Sequence, residues 1–101
     1  MAIMEITVVP LGTSSPSVSR YVAGAVRVLR EAKDVRYELT PMGTVVEGET
    51  DRLLELAAQM HRTPFAAGAV RVVTTVKIDE RRDKPVTMSG KVAAVREKLG
   101  K

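Results

Sequence analysis

Residues 72–83, VVTTVKIDERRD, place chemically useful side chains on a segment with the pattern of a β-strand. Successive side chains of a strand point to opposite faces, so Thr75, Lys77 and Asp79 share one face. A hydroxyl, an ammonium and a carboxylate on one face can donate and accept hydrogen bonds. If another surface covers this face, the enclosed groups would suit a small polar heterocycle. The elements that hold and cover the face therefore decide whether it binds anything.

The rest of the chain offers little for catalysis. It has one histidine, His61, and no cysteine, no G-x-S-x-G motif, and no acid pair whose placement indicates acid–base catalysis. Because His61 has no second histidine at metal-ligand spacing, we expect a packed or interfacial side chain. The loop PLGTSSPS (10–17) precedes a predicted helix, whose N-terminus attracts anions, but it lacks the lysine and glycine spacing of nucleotide-binding loops. We predict no enzyme activity, no metal and no cofactor.

Length and composition are typical of one globular domain covering residues 1–101. A chain of this size buries only about 60 to 70% of its unfolded surface, so a partner subunit would add useful burial. The net charge is +4, but bases alternate with acids, as in RVLREAKDVRYE (27–38), which indicates a solvated face and no nucleic-acid partner. No apolar run reaches the roughly 18 residues of a membrane span. The N-terminus carries an acid where a signal peptide needs bases, so we expect a cytoplasmic protein without a membrane partner.

The first half of the chain has the periodicity of a strand, a helix and a hairpin. IMEITVV (3–9) is rich in β-branched residues and predicts a strand. Ser15 before Pro16 fits a helix N-cap followed by proline, and apolar residues then recur at helical spacing through residue 33. VRYELTPM (35–42) alternates as a strand does, and TVVEGE (44–49) follows after one glycine, which predicts a tight hairpin.

The second half predicts a helix, a strand and a last helix. Thr50 is the expected N-cap of the second helix, Pro64 predicts a kink or short break just before it, and Gly68 is the expected terminator. VRVVTTVKID (70–79) is the fourth strand, and apolar residues from 92 to 99 indicate a C-terminal helix. This order predicts the α+β class: a ferredoxin-like βαββαβ sandwich, with a four-stranded antiparallel sheet, two helices on one face, and an additional C-terminal helix.

This topology leaves one face of the sheet bare. We assign to the core Met4, Ile6, Val8, Val70, Val72, Thr74, Val76 and Ile78. We assign to the bare face Glu5, Thr7, Val9, Arg36, Glu38, Thr40, Met42, Arg71, Val73, Thr75, Lys77 and Asp79. Such a face can simply be hydrated, or it can pack on the sheet of a second subunit, where valines touch and opposite charges pair. We expect self-association as a dimer or tetramer, because a small one-sided domain gains most by burying its second face.

Three motifs in order resemble one family: VVPLGTSSPSVSRYVAGAV (8–26), YELTPMGTVVEGE (37–49), and the lone His61 followed by GAVRVVTTVKIDERRD (68–83). Together they are similar to the small thiamine-binding-protein-like family, relatives of the YkoF-like proteins. The resemblance covers almost the whole chain. It implies a ferredoxin-like fold, assembly as dimers and often tetramers through the sheets, and, as in some members, binding of thiamine or its hydroxymethylpyrimidine moiety.

The resemblance also implies a ligand site, which we expect to comprise Thr13, Tyr37, Thr40, Met42, Gly43, Thr44, Glu47, Thr75 and Lys77. Glu47 would accept from the exocyclic amine of an aminopyrimidine or balance a thiazolium charge. Met42 would lie against the ring as a polarizable wall, and Gly43 would allow a tight turn with positive φ. Other roles stay open: Tyr37 as a core residue, and the charges of KIDERRD (77–83) as salt bridges between subunits.

These observations predict a non-enzymatic oligomer that binds thiamine or hydroxymethylpyrimidine at or near a subunit boundary. The alternative is a structural or assembly protein, or a sensor of another metabolite. RNA binding through the sheet needs stacked aromatic side chains, and this chain has only three aromatic residues, of which two fall on predicted helices.

Overall fold

The computed structural model describes residues 1–100; Lys101, the last residue of the predicted domain, lies outside the described residues. The elements in chain order are β1 (Ala2–Pro10), α1 (Ser19–Glu31), β2 (Arg36–Thr40), β3 (Gly43–Gly48), α2 (Thr50–Ala66), β4 (Val72–Glu80) and α3 (Met88–Leu99). The strands form one antiparallel sheet in the order β2-β3-β1-β4. This arrangement confirms the predicted ferredoxin-like fold with its additional C-terminal helix.

The core lies between the sheet and the pair α1 and α2. Its best-buried members come from the two central strands and both helices: Met4, Ile6, Val46, Leu29, Leu53, Leu56 and Met60. The expected core set of β4 is less covered, because β4 is an edge strand: Val76 is 38% exposed. Val70 is 87% exposed and precedes the strand, so its assignment to the core was wrong.

Both predicted helix N-caps were wrong. α1 begins at Ser19, three residues later than predicted, and the position before it is Val18, which provides no side-chain cap. The Ser15 hydroxyl instead accepts from the backbone N–H of Ser17 within the loop, at 3.1 Å. α2 begins at Thr50 as predicted, but its hydroxyl donates to Glu80 at the end of β4, which ties the helix start to the sheet.

Pro64 does not break α2, which continues to Ala66. Proline has no N–H to donate to the carbonyl four residues earlier, here that of Met60. The hydroxyl of Thr63 donates to this carbonyl at 2.8 Å and replaces the missing bond. Gly68 follows the helix with φ +101°, which confirms its role as terminator.

The face opposite α1 and α2 is not bare, because α3 begins on it. Glu47 and Asp79 lie on this face, each paired in register with Ile3 of β1. The Glu47 carboxylate accepts from the backbone N–H of Met88 at 3.3 Å, and Asp79 pairs with Lys91 at 2.7 Å. α3 itself has no buried residue, but Val86, two residues before it, is 6% exposed. This buried valine and the polar contacts of the first turn hold the start of α3 to the domain. No helix within residues 1–100 is both long and apolar enough to span a membrane.

Candidate functional site

A cavity of about 270 Å³ opens at one end of the sheet. Its position follows from strand lengths. The pairing of β1 with β3 ends at Ile6 and Thr44, whereas the pairing of β1 with β4 continues to Pro10 and Val72. Thr7 lies beside Gly43, the first residue of β3, so Val8 and Val9 extend past this strand. The notch beside them is walled by the β2–β3 turn and by α1.

α1 carries two parallel apolar stripes, and the second one lines the cavity. Tyr21, Ala25 and Leu29, four residues apart, are buried against the core. The second stripe, at the same spacing, is only half-buried and consists of Val18, Val22 and Val26. None of the residues predicted for the site belongs to this wall. An apolar surface on α1 wider than one stripe was the signal that could have found it.

The turn between β2 and β3 forms the opposite wall. Its central residues are Pro41 and Met42, and Thr40 closes it by donating to the Gly43 carbonyl at 2.8 Å and accepting from the Met42 N–H at 3.3 Å. Gly43 does not have positive φ, so that expectation was wrong. Glycine is required there by close packing instead, because an added Cβ would lie 2.9 Å from Thr7 Cγ2.

Three threonines line the cavity, Thr7, Thr40 and Thr44, and Thr44 is the most deeply buried of them. The residue is 3% exposed and lines the cavity, and its hydroxyl forms no hydrogen bond with residues 1–100. Every side-chain oxygen or nitrogen that is fully shielded from solvent in this range has a partner, so the Thr44 hydroxyl must reach the cavity surface. No described aspartate or glutamate lines the cavity. An apolar slot with an available hydroxyl suits one small ring with a polar edge.

The predicted site residues divide between distant places. Thr40, Met42, Gly43 and Thr44 lie together at the cavity. The other five lie in a loop, on an edge strand, or on the face of the sheet opposite α1 and α2, which we call the open face. They are Thr13, Tyr37, Glu47, Thr75 and Lys77.

Each of these five residues lies in a different part of the fold from the cavity and has its own contacts or position there. The Thr13 hydroxyl donates to the Ser15 carbonyl at 2.8 Å within the loop, and Tyr37 packs from β2 against the core. Glu47, 7% exposed, is the acceptor for the α3 N-terminus. Thr75 and Lys77 lie on the open face, which is where the pattern of β4 had placed them.

The charges at the end of β4 pair within the chain. Lys77 lies 3.5 Å from Glu5, and Arg82 lies 3.2 Å from Glu80. Arg81 hydrogen-bonds Asp83, which lowers the pKa of that carboxyl below its usual value. These groups are exposed ion pairs, which contribute little to stability.

His61 is packed, as expected. Its Nδ1 lies 2.6 Å from Thr74 Oγ1, and its ring meets Phe65 edge-on with centroids 5.6 Å apart. Within residues 1–100 no three histidine, cysteine or acidic side chains come together as a metal site would require.

Comparison with known proteins agrees with this architecture. Residues 4–96 match the family described as thiamine-binding protein. UPF0045 protein YqgV of Bacillus subtilis is 43% identical, with 98% of each chain covered. A UPF0045 protein of Methanothermobacter thermautotrophicus is 47% identical, and the alignment covers 98% of this chain and 100% of that protein.

Two solved structures share the fold. The hypothetical protein MJ1052 of Methanocaldococcus jannaschii superposes with a TM-score of 0.85 at 38% identity, covering 95% of this chain and 96% of that one. A candidate thiamine biosynthesis/salvage protein of Thermotoga maritima has a TM-score of 0.77 at 23% identity, covering 93% and 97%, and at that identity it shows the fold alone. The family match spans nearly the whole chain, and the relatives are similar from end to end. The chain therefore belongs to the family of thiamine-binding proteins.

Proposed function

We propose that this protein is a non-enzymatic binding protein for thiamine or its hydroxymethylpyrimidine moiety, and that the ring enters the cavity between α1 and the β2–β3 turn. The single observation that carries the proposal is the buried, unpartnered Thr44 hydroxyl in a slot lined mainly by apolar side chains. Membership of the thiamine-binding family supports the ligand class.

The size of the cavity favours a single ring. Its volume of about 270 Å³ lies just below the range of about 300 to 1,000 Å³ that is usual for ligand pockets. Met42, 85% exposed at the rim, is a flexible apolar side chain that can close over a bound ring. No described aromatic residue lines the cavity, so van der Waals contact with valines and a hydrogen bond to Thr44 provide the affinity.

A second copy of the chain would complete the site from the open face. Thr7 and Val9 line the cavity and point to this face, where each pairs in register with Thr75 or Val73 of β4. Val9 is 39% and Val73 is 46% exposed, and covering them with another sheet would bury apolar surface. We propose a dimer or tetramer assembled this way. Native mass measurement tests it, and a monomer at working concentration would contradict it.

Two of the remaining predicted ligand residues are available to this assembly. Thr75 and Lys77 are exposed on the open face, away from the cavity of their own chain, and in a sheet-to-sheet assembly they would face the neighbouring copy. Glu47 is 7% exposed and accepts from the first turn of α3, so it would hold α3 and would not contact a ligand. Thr13 would hold its loop, and Tyr37 packs from an edge strand against the core.

Titration calorimetry with thiamine and with hydroxymethylpyrimidine tests the ligand. We expect saturable binding by the native protein and at least about a tenfold loss in Val22→Phe, because the larger ring occupies the slot. Leu54→Phe is the matched control, since Leu54 is 50% exposed on α2 outside the cavity lining. Recovery of unchanged ligand after incubation would agree with a binding role.

Absence of heat at millimolar concentrations of both compounds would overturn the ligand assignment. An oligomer with that result would favour the alternative, an assembly protein or a sensor of another metabolite.

A further inference from the structure

We propose that the physiological ligand is phosphorylated, and that Arg27 and Arg30 of α1 hold its phosphate in a groove continuous with the cavity. This inference rests on the proposed function, because the ring bound in the cavity anchors the phosphate. It adds a subsite and a ligand class: a phosphate or diphosphate ester of the heterocycle.

The groove runs between α1 and the outer edge of β2. Its volume is about 660 Å³, and it is more open than the cavity. The two spaces share part of their walls, namely Val18, Val22, Val26, Leu39 and Thr40. Because the same side chains line both, the two spaces adjoin, and a ligand with its ring in the cavity would extend a substituent over these shared side chains into the groove.

The groove has positive charge and no negative charge in its lining. Arg27 and Arg30 both line it, and residues three apart on a helix lie on the same face. Neither guanidinium forms an ion pair with any residue in the range 1–100. No described aspartate or glutamate lines the groove or the cavity. Guanidinium groups without protein partners are well suited to bind phosphate oxygens in a bidentate manner.

The same charge distribution argues against an unmodified cationic ligand. Thiamine carries a positive thiazolium ring, and the combined site offers two arginines and no carboxylate to balance it. Phosphorylation reverses the sign of the charge at the end of the ligand that lies in the groove. Electrostatics therefore favours the ester over the free vitamin.

The spacing fits a ring with a charged tail. Val22 lines both spaces, and Arg30 lies two helical turns further along α1. Eight residues of helix rise by about 12 Å. A single ring in the cavity cannot cover this distance, whereas a ring that carries an extended phosphorylated substituent can.

Calorimetric titration with thiamine, thiamine monophosphate and thiamine diphosphate tests the subsite. We expect the diphosphate to bind about tenfold more tightly than thiamine at low salt, since two solvent-exposed charge contacts are worth about that much. The preference should shrink as salt rises. The double variant Arg27→Gln/Arg30→Gln should lose the preference, and it should bind thiamine at least as tightly as the native protein does, because the charges that oppose the thiazolium are gone.

The matched control removes the same charge elsewhere. Arg62 and Arg71 are exposed and line none of the cavity or groove, so Arg62→Gln/Arg71→Gln should keep the preference. Equal affinity for free and phosphorylated thiamine in the native protein would overturn the inference and leave the proposed function intact. A preference for the phosphorylated compound that survives in Arg27→Gln/Arg30→Gln would also overturn the inference and leave the proposed function intact. Failure of these three compounds and of hydroxymethylpyrimidine to bind would overturn both the inference and the proposed function.

Discussion

Replacing Thr44 with valine separates stability from ligand binding. The substitution exchanges a hydroxyl for a methyl group of the same shape, and both residues favour strands. Thr44 is 3% exposed, and its hydroxyl has no hydrogen-bond partner within residues 1–100. The change should therefore stabilise the folded protein and weaken ligand binding at the same time.

The size of both effects follows from the surroundings of the hydroxyl. A buried hydroxyl without a partner costs about 1 to 3 kcal/mol in protein mutational data. Because this one reaches the cavity surface, we expect the low end, a gain of about 1 kcal/mol in the free energy of unfolding. A neutral hydrogen bond contributes about 0.5 to 1.5 kcal/mol, so loss of the bond to the ligand should raise Kd by up to about tenfold.

Urea unfolding measures the change in the free energy of unfolding, and calorimetric titration with thiamine measures the change in Kd. Thr74→Val is the matched control, because the same chemical change there removes the hydroxyl that lies 2.6 Å from His61 Nδ1. It should lower the free energy of unfolding by about 1 kcal/mol and leave Kd unchanged.

The reasoning would be refuted if Thr44→Val destabilised the fold by as much as Thr74→Val does. That outcome would mean that the Thr44 hydroxyl has a structural partner. Unchanged affinity for thiamine in a stabilised Thr44→Val would instead remove Thr44 from the ligand site.

Three further changes test the packing and charge contacts around the site. Gly43→Ala should destabilise by about 1 kcal/mol, because its Cβ would lie 2.9 Å from Thr7 Cγ2, and Thr7→Ser in the same chain should restore most of the loss seen in urea unfolding. Thr63→Val should cost about 1 kcal/mol, since it leaves the carbonyl opposite the helix proline without a donor, and faster amide exchange in α2 would accompany it. The Thr50 hydroxyl lowers the pKa of the Glu80 carboxyl below its ordinary value of 4.5. The stability lost in Thr50→Val should therefore be full at neutral pH and should vanish as pH falls through this lowered pKa; a loss that is independent of pH would contradict the pairing.

The groups near the turn could be predicted because they are close in sequence. Thr40, Met42, Gly43 and Thr44 belong to one hairpin, so any fold that forms this hairpin brings them together. The resemblance to the thiamine-binding family pointed to the same residues. The placement of Thr75 and Lys77 on the open face followed from the alternation of β4 alone.

Glu47 illustrates what local pattern could not provide. Its sequence position predicted a free carboxylate near the hairpin, whereas in the fold it is buried beneath the first turn of α3 and accepts from Met88. That contact joins residues 41 positions apart. Self-association, the cytoplasmic location and the single-domain extent of the chain stay predictions.

The sequence by itself determined the kind and order of the elements, since hydrophobic period and turn residues act over a few neighbouring positions. Only the tertiary structure decided where β3 stops beside β1, which side of α1 lacks a covering strand, and where α3 docks. These features depend on register and on competition for burial between distant segments. The cavity exists because two neighbouring strands end at different points, and no short stretch of the chain contains both ends.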